Sequence, residues 1–261
     1  MPRVESNPLD VDLSGRVAVV TGGSRGLGLE MSRAFARAGA SVLIASRKGE
    51  VCAELARELS EQTGSRCEGA ACHVGRWEDC DALAARALER FGRVDILVNN
   101  AGMSPLYDSL SGVTRELYDK VLAVNLRGPF RLSALLGERM KRDGGGVILN
   151  ISSIAAVQPT ARELPYAAAK AGLNALTLGL ARALAPEVRV NAILAGPFLT
   201  DISRSWDGEA FRRAAEQHIP LRRAGEPAEI VGAALYLASD AASYTTGAIL
   251  KVDGGAAWTP A

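Results

Sequence analysis

The sequence predicts a single α/β domain built on a parallel, doubly wound sheet of seven strands with helices on both faces. Apolar runs of strand length alternate with helical patterns through nearly the whole chain, and this order is typical of a parallel sheet. A glycine-rich turn follows the first run. The 261 residues, of which 48% are apolar, are enough to bury one large core, so one domain is expected.

Seven apolar runs, most of them rich in Val and Ile, are the expected strands, at 16–22, 40–46, 67–74, 94–100, 146–152, 188–194 and 248–254. Patterns of helical period between them predict helices at about 25–38, 49–62, 77–91, 114–142, 163–185 and 227–239. Residues 1–14 are polar with two prolines, and we expect a flexible N-terminal arm there, so that the domain covers residues 15–261.

The segment 197–225 is the longest stretch without a clear strand or helix, and we interpret it as a small substrate lobe. Residues 207–218 can form a short helix outside the sheet. Large apolar side chains in this lobe predict a mobile lid over a partly apolar substrate, or alternatively anchors that hold a surface helix to the sheet: Phe198, Ile202, Trp206, Phe211 and Ile219.

Charge and cysteine content argue against several classes of function. Lys and Arg number 30 against 29 Asp and Glu, so the net charge of +1 provides no broad surface for nucleic acid or anionic lipid. No apolar run reaches the roughly 18 to 20 residues of a membrane span, and a cytoplasmic location is expected. The four cysteines form no C-x-x-C pair and the two histidines are scattered, so no metal site is predicted.

A glycine-rich turn between the first strand and the first helix predicts dinucleotide binding. Gly22, Gly26 and Gly28 fall where the N-terminus of a helix can receive a pyrophosphate, and glycine lets the backbone approach it closely. The order of strand, turn and helix near the start of the chain is the context of a Rossmann-type domain.

Tyr166 and Lys170 lie four residues apart in an Ala-rich helical pattern, so their side chains share one face of the helix. A free phenol has a pKa of about 10, and a nearby ammonium group favours the phenolate. We therefore expect Lys170 to lower the pKa of Tyr166 and to make it a usable general acid and base.

Five motifs occur in one order along the chain, namely Thr21-Gly22-x-x-x-Gly26-x-Gly28, Asn-Asn-Ala-Gly at 99–102, Asn125, Ser153 and Tyr166-x-x-x-Lys170. In this order and at these intervals they resemble the short-chain dehydrogenase/reductase family. More narrowly, the chain is similar to the classical subfamily that includes 3-oxoacyl-acyl-carrier-protein reductases. The resemblance covers about residues 14–256.

The resemblance implies a catalytic tetrad of Asn125, Ser153, Tyr166 and Lys170. Ser153 would hydrogen-bond the substrate oxygen, and Tyr166 would transfer the proton. Lys170 would also hold the nicotinamide ribose, and Asn125 would support a proton relay through water. The implied reaction is hydride transfer from the nicotinamide to a carbonyl carbon, or the reverse oxidation of an alcohol.

The same resemblance implies cofactor contacts, which are Gly22, Ser24, Arg25, Gly26, Leu27, Gly28, Ser46, Arg47, His73, Val74, Asn100, Ala101, Gly102, Tyr166, Lys170, Pro197, Phe198 and Thr200. Members that use NAD place an acidic residue where this chain has Ser46, because a carboxylate repels a 2′-phosphate. Arg25 and Arg47 match the basic pattern of members that use NADP. NADP(H) is therefore the expected cofactor, and NAD is less favoured.

Two positions depart from the family pattern. His73 stands where the family usually has an Asp that meets the adenine amino group; a neutral imidazole can accept the same hydrogen bond, and a structural, half-buried role is the alternative. Ala195 stands in place of a proline and Pro197 follows Gly196 instead, which leaves the loop geometry before Thr200 open.

These features favour an NADP-dependent oxidoreductase that acts on a small carbonyl or alcohol substrate. A 3-oxoacyl-acyl-carrier-protein or 3-oxoacyl-CoA reductase is the alternative enzyme. A dinucleotide-sensing regulator with the same fold would have a damaged tetrad, whereas the tetrad residues here are intact. The segment Leu164 to Ala185 is apolar on almost every helix face, which, with the family resemblance, predicts a homodimer or homotetramer.

Overall fold

The computed structural model of the protein describes residues 11–200 and 208–257. Within these ranges seven parallel strands form one sheet in the order β3-β2-β1-β4-β5-β6-β7. The strands are β1 (Val17–Thr21), β2 (Ser41–Ser46), β3 (Cys67–Ala71), β4 (Ile96–Asn99), β5 (Gly146–Ser153), β6 (Val188–Ala195) and β7 (Ile249–Val252). The order reverses between β1 and β4, which confirms the doubly wound sheet and places a ligand crevice beyond the carboxyl ends of these strands.

Eight α-helices of the described ranges connect and cover the strands: α1 (Gly26–Arg37), α2 (Gly49–Thr63), α3 (Trp77–Phe91), α4 (Arg115–Leu122), α5 (Gly128–Arg142), α6 (Leu164–Ala183), α7 (Gly208–His218) and α8 (Val231–Ala238). The pattern at 114–142 predicted one continuous helix. The structure instead interrupts it with a π-helical turn at Ala123–Arg127. Such turns insert a residue into a helix and often mark functional sites.

Two apolar clusters, one on each face of the sheet, form the core. β1 contributes Ala18 and Val20 to one cluster and Val19 to the other, because successive side chains of a strand point to opposite faces. Strands buried on both faces carry apolar residues at nearly every position, which explains why they appeared as continuous apolar runs in the sequence.

The N-terminal boundary of the fold lies earlier than residue 15. Leu13 is only 2% exposed, and its N–H donates to the Ala38 carbonyl oxygen at 2.7 Å, at the end of α1. This part of the expected flexible arm is thus packed into the core, because Leu13 covers apolar surface beside α1. Residues 1–10 of that arm lie outside the described residues.

The segment 197–225, interpreted from the sequence as a substrate lobe, contains the predicted short helix, α7. Phe198 and Ile219 are each 6% exposed, and Phe198 pairs with Gly225 through an isolated bridge. These two side chains therefore anchor the lobe to the domain, as the alternative interpretation expected. Ile202 and Trp206 lie outside the described residues. No helix in the described ranges combines the length and apolarity needed to cross a membrane.

Candidate active site

The glycine turn after β1 is a tightly packed element that excludes side chains. Gly22 and Gly26 have φ angles of 63° and 53°, in the left-handed region that favours glycine. A Cβ at Gly28 would lie 2.8 Å from the carbonyl carbon of Gly22 and closer still to its oxygen. The first turn of α1 therefore rests directly on the backbone of the glycine turn, and its amides face the crevice beyond β1.

The Asn-Asn-Ala-Gly motif fastens this turn to the end of β4. Asn100 Nδ2 donates to the carbonyl oxygens of Thr21 and Gly22, at 2.9 and 3.1 Å. Thr21 Oγ1 in turn accepts from the N–H groups of Asn100 and Ala101, at 3.0 and 3.2 Å. The ends of β1 and β4 are thus joined side by side, which keeps the crevice in one shape.

These residues fit a bound dinucleotide. The close backbone packing at Gly22 and Gly28 leaves the turn free of side chains, so that the amides at the start of α1 can meet a pyrophosphate. Thr200 lies across the turn, because a Cβ at Gly26 would be 3.4 Å from Thr200 Cγ2. The structure therefore brings the predicted nicotinamide-side threonine next to the glycine turn.

The ends of β2 and β3 form the side of the crevice that the sequence assigned to adenosine. Ser24 Oγ donates to Ser46 Oγ at 3.0 Å, which joins the glycine turn to the end of β2. Arg25 and Arg47 follow Ser24 and Ser46 in the sequence, and both side chains are exposed. They are the expected partners of a 2′-phosphate. The N–H of Cys72 donates to the Ser46 carbonyl oxygen at 2.9 Å, so the turn that carries His73 and Val74 lies alongside.

Tyr166 and Lys170 lie on one face of α6, as predicted. Lys170 Nζ is 5.7 Å from the centroid of the Tyr166 ring, and it donates to the carbonyl oxygen of Ile151 on β5 at 2.7 Å. Ser153 ends the same strand, and its Oγ accepts from the Ala155 N–H at 3.1 Å. The Ser153 hydroxyl also forms a hydrogen bond with the Tyr166 phenol, so the two hydroxyl groups lie side by side.

The expectation that Lys170 lowers the pKa of Tyr166 is wrong for this structure. Burial raises the pKa of the Tyr166 phenol to about 12; the Ser153 hydroxyl acts in the lowering direction and the Glu163 carboxylate in the raising one. Burial also lowers the pKa of Lys170 to about 8. Burial, which disfavours the charged form of each group, is the largest cause of both shifts, so the phenol is protonated at neutral pH.

Asn125 joins the same site through the π-helical turn. Its Nδ2 donates to the carbonyl oxygens of Met103 and Val121, at 2.8 and 2.9 Å, and its Oδ1 accepts from the Met103 N–H at 3.2 Å. A Cβ at Gly102 would be 3.0 Å from Asn125 Oδ1 and 3.7 Å from Lys170 Nζ. Gly102 therefore lies between the side chains of Asn125 and Lys170, and a larger residue there would contact both. Asn125 is thus close to Lys170, which packs beside Tyr166.

Two residues of this region, Glu163 and Tyr107, were not found from the sequence. Glu163 is the N-cap residue immediately before α6, and its carboxylate accepts from Ser104 Oγ at 3.2 Å and from Thr160 Oγ1 at 3.1 Å. Tyr107 OH donates to the Ala161 carbonyl oxygen at 2.9 Å and accepts from the Leu164 N–H at 3.0 Å. Together they hold the start of α6 against the loop after β4. The position of Glu163, three residues before Tyr166, was the only available signal.

In the loop after β6, the predicted cofactor contact Phe198 differs from the expectation. β6 continues through Ala195, and the Gly196 N–H donates to the Val252 carbonyl oxygen at 3.0 Å, so the missing proline leaves this strand end regular. The ring of Phe198 packs against Gly225 in the core, because a Cβ there would be 2.7 Å from the ring. The Phe198 side chain is therefore buried, and only the backbone of this predicted cofactor contact can face a ligand. Pro197 accepts from the Gly225 N–H through its carbonyl oxygen at 2.9 Å.

Comparison with known proteins identifies the family. A family model described as Enoyl-(Acyl carrier protein) reductase matches residues 22–257. Dehydrogenase/reductase SDR family member 4 of Homo sapiens is 36% identical over 245 residues, which cover 93% of this chain and 88% of that protein. The fold and the converging motifs are therefore those of a known group of enzymes.

Two solved structures agree. NADPH-dependent 3-quinuclidinone reductase from Rhodotorula rubra superposes with a TM-score of 0.93 at 30% identity and covers 99% of this chain and 98% of that one. 7α-hydroxysteroid dehydrogenase complexed with NADH and 7-oxo glycochenodeoxycholic acid superposes with a TM-score of 0.90 at 35% identity, over 96% and 97%. The chain belongs to the short-chain dehydrogenase/reductase family of oxidoreductases, whose fold binds a nicotinamide dinucleotide.

Proposed function

We propose that the protein transfers hydride between NADP(H) and a carbonyl or secondary alcohol group of a small, partly apolar substrate, with Tyr166 as the general acid and base. The observation that carries the proposal is the convergence of Asn125, Lys170 and Gly102 beside the Tyr166 phenol. The retained tetrad also argues against a dinucleotide-sensing regulator without chemistry.

The residues assign a role to each group in reduction. A bound nicotinamide supplies the hydride to the carbonyl carbon. The Tyr166 phenol is protonated at neutral pH, because burial raises its pKa to about 12, and it donates its proton to the substrate oxygen. Ser153 donates a second hydrogen bond to that oxygen, which stabilises the charge that develops there. Lys170 would hold the ribose of a bound dinucleotide and, with Asn125, would relay a proton from solvent water to the Tyr166 phenolate.

Replacement of Tyr166 by Phe tests this assignment. The variant keeps the ring and loses the exchangeable proton, so turnover should fall by at least about 100-fold, the lower limit of general acid catalysis, while the NADPH dissociation constant stays unchanged. Tyr118→Phe, on α4 with 43% of the residue exposed, is the matched control and should retain turnover. Near-normal ketone reduction by Tyr166→Phe would contradict the mechanism.

The preference for NADP(H) over NAD(H) is part of the proposal. Ser46 carries no charge that repels a 2′-phosphate, and Arg47 is exposed next to it. The family relatives bind either cofactor, since the quinuclidinone reductase is NADPH-dependent and the hydroxysteroid dehydrogenase was solved with NADH. The local charge of this chain therefore supports the choice more than the family does.

Arg47→Ala tests the cofactor preference. A charge-assisted hydrogen bond is worth about 1.5–3 kcal/mol, so the dissociation constant of NADPH should rise roughly 10- to 150-fold, while that of NADH changes little. Arg57→Ala removes an exposed arginine from α2 and serves as the control. Equal losses of affinity for both cofactors would contradict the assignment.

A second candidate function is reduction of a 3-oxoacyl group carried by acyl carrier protein or CoA. One observation favours it loosely: the description of the matching family model names a reductase of groups carried by acyl carrier protein, although the group named is enoyl and not 3-oxoacyl. A panel of simple ketones, 3-oxoacyl-CoA and 3-oxoacyl carrier protein, assayed with NADPH, separates the two candidates. A kcat/KM that rises steeply only with the carrier would favour the second.

We also propose that the protein is a cytoplasmic homodimer or homotetramer. α6 presents Leu164 and Leu178 to solvent, with 40% and 48% of these residues exposed, on a helix that is apolar on most faces. A second subunit would cover this surface and remove its apolar area from water. A monomer in light scattering at micromolar concentration would contradict the proposal.

A further inference from the structure

Two of the four cysteines meet where β3 ends and α3 begins. Cys72 directly follows β3, and Cys80 lies in the first turn of α3. Their thiols form a hydrogen bond with each other, and the two residues are buried, with 4% and 0% of their surface exposed. The fold thus creates a pair of adjacent thiols that no C-x-x-C motif announces in the sequence.

Each thiol also contacts the backbone of the segment that connects the two cysteines. Cys72 Sγ lies 3.6 Å from the carbonyl oxygen of Asp79, and Cys80 Sγ lies 3.3 Å from the carbonyl oxygen of Val74. Both thiols are placed to donate to these oxygens. The connecting segment, residues 73–79, is termed the His73 turn, and the two sulfur atoms hold it at both ends.

The surroundings favour ionisation of Cys80 over ionisation of Cys72. The hydrogen bond with Cys72 lowers the pKa of Cys80, and the Arg131 guanidinium acts in the same direction, against burial and the carboxylates of Asp81 and Asp79. A position in the first turn of a helix also favours a thiolate. The hydrogen bond with Cys80, followed by burial, raises the pKa of Cys72. Cys80 is therefore the nucleophile of the pair, and Cys72 is the neighbouring thiol that can react with its oxidised form.

We propose that Cys72 and Cys80 are a redox-active pair, which hydrogen peroxide converts into a disulfide that weakens dinucleotide binding. The Cys80 thiolate attacks one oxygen of the peroxide, the O–O bond breaks, and the other oxygen leaves as water, which gives a sulfenic acid. The Cys72 sulfur loses its proton and attacks the Cys80 sulfur, so that the S–S bond forms and the hydroxyl group leaves as a second water. The peroxide gains the two electrons that the two thiols lose.

The disulfide alters the His73 turn because its formation removes both thiol protons. The carbonyl oxygens of Asp79 and Val74 then lose these donors. The Val74 carbonyl group also packs on the start of α5, since a Cβ at Gly128 would lie 2.9 Å from its carbon. The N–H of Cys72 donates to the Ser46 carbonyl oxygen at the end of β2, so a movement of the turn reaches the crevice. The effect on dinucleotide binding rests on the proposed function, whereas formation of the disulfide does not.

Peptide mapping tests whether the disulfide forms. Trypsin cleaves after Arg76, which places Cys72 in the peptide 67–76 and Cys80 in the peptide 77–86. The wild-type protein is treated with hydrogen peroxide, its remaining thiols are alkylated, and the digest is analysed by mass spectrometry without reduction. The two peptides should be found linked, and dithiothreitol should separate them, because a disulfide is reducible and higher oxidation products of cysteine are not.

The first peptide also contains Cys67, so a variant identifies which sulfur is linked. Cys67→Ser is the matched control and should retain the linked peptides after peroxide treatment, whereas Cys72→Ser and Cys80→Ser should lose them. Absence of the link in the peroxide-treated wild type, or a link that disappears in Cys67→Ser, would overturn the inference. The wild-type result requires no variant to fold.

Isothermal titration calorimetry with NADPH tests the effect on binding. The dissociation constant of the oxidised wild type should exceed that of the reduced wild type by about 2- to 10-fold, the range of one neutral hydrogen bond, and dithiothreitol should restore it. In Cys80→Ser, peroxide should leave the constant unchanged. Equal constants for the two wild-type forms would overturn the control of binding. Failure of the reduced wild type to bind NADPH would overturn the proposed function and this control with it, while the linked peptides still decide whether the pair is redox-active.

Discussion

Gly28 is the position at which the packing of the glycine turn is most sensitive to a single added methyl group. A Cβ there would lie 2.8 Å from the Gly22 carbonyl carbon, and closer to the Gly22 oxygen and to Asn100 Nδ2. All three atoms belong to rigid elements, because Asn100 Nδ2 is already bonded to the backbone of Thr21 and Gly22. Gly28→Ala must therefore move the first turn of α1 away from the end of β1.

The magnitude follows from what this movement disturbs. Overpacking of a rigid site costs about 1–3 kcal/mol, and weakening the two Asn100 hydrogen bonds adds about 1 kcal/mol. We therefore expect a loss of roughly 2–4 kcal/mol in the free energy of unfolding, which lowers Tm by roughly 5–15 °C for a domain of this size. The amides of α1 also shift relative to the pyrophosphate position, so NADPH affinity should fall in parallel.

Thermal unfolding and calorimetric titration with NADPH measure both effects. Gly232→Ala is the matched control, because nothing lies within 4 Å of a Cβ added at this exposed position of α8. Its Tm should be unchanged or slightly raised, since alanine favours helix. A Gly28→Ala variant with wild-type Tm and wild-type NADPH affinity would refute the packing argument for the glycine turn.

Two further predictions concern the start of α6. Glu163→Gln should shift the pH dependence of alcohol oxidation to lower pH, because the carboxylate adds to the burial that raises the Tyr166 pKa; an unchanged kcat profile would rule out this influence. Tyr107→Phe should lower the free energy of unfolding by about 1–3 kcal/mol in urea, because Ala161 and Leu164 each lose a partly buried hydrogen bond to the phenol. Unchanged stability would show that water replaces that hydroxyl.

The sheet was predictable because its strands are buried on both faces. β5 and β6 each pair along eight residues, and their apolar runs at 146–152 and 188–194 matched the observed bounds within one residue. The break in the helix pattern at 114–142 was not predictable, because the π-helical turn depends on Asn125 reaching Met103, which is remote in sequence. The helical spacing of apolar residues does not reveal a contact between residues that are far apart in the sequence.

The residue types of the site could be predicted, but their electrostatics could not. The spacing of Tyr166 and Lys170 correctly placed both side chains on one helix face, but the pKa shifts depend on burial, which is a property of the packed domain. The same limit applies to His73. Its sequence position suggested an acceptor, and only the contact with the Gly75 N–H shows that Nδ1 is already used.

The π-helical turn at Ala123–Arg127 connects the two ends of the crevice. Asn125 in this turn bonds Met103 beside the tetrad, while Arg127, two residues later, donates to the Gly75 carbonyl oxygen in the His73 turn. A Cβ at Gly128, the next residue, would lie 2.9 Å from the Val74 carbonyl carbon, so the two turns are also in direct contact. These contacts join the His73 turn to the turn that carries Asn125, so one short segment links the two ends of the crevice. A substitution that displaces Arg127 should therefore alter both dinucleotide affinity and turnover, even though the residue touches neither Tyr166 nor Lys170 in the contacts that fix it.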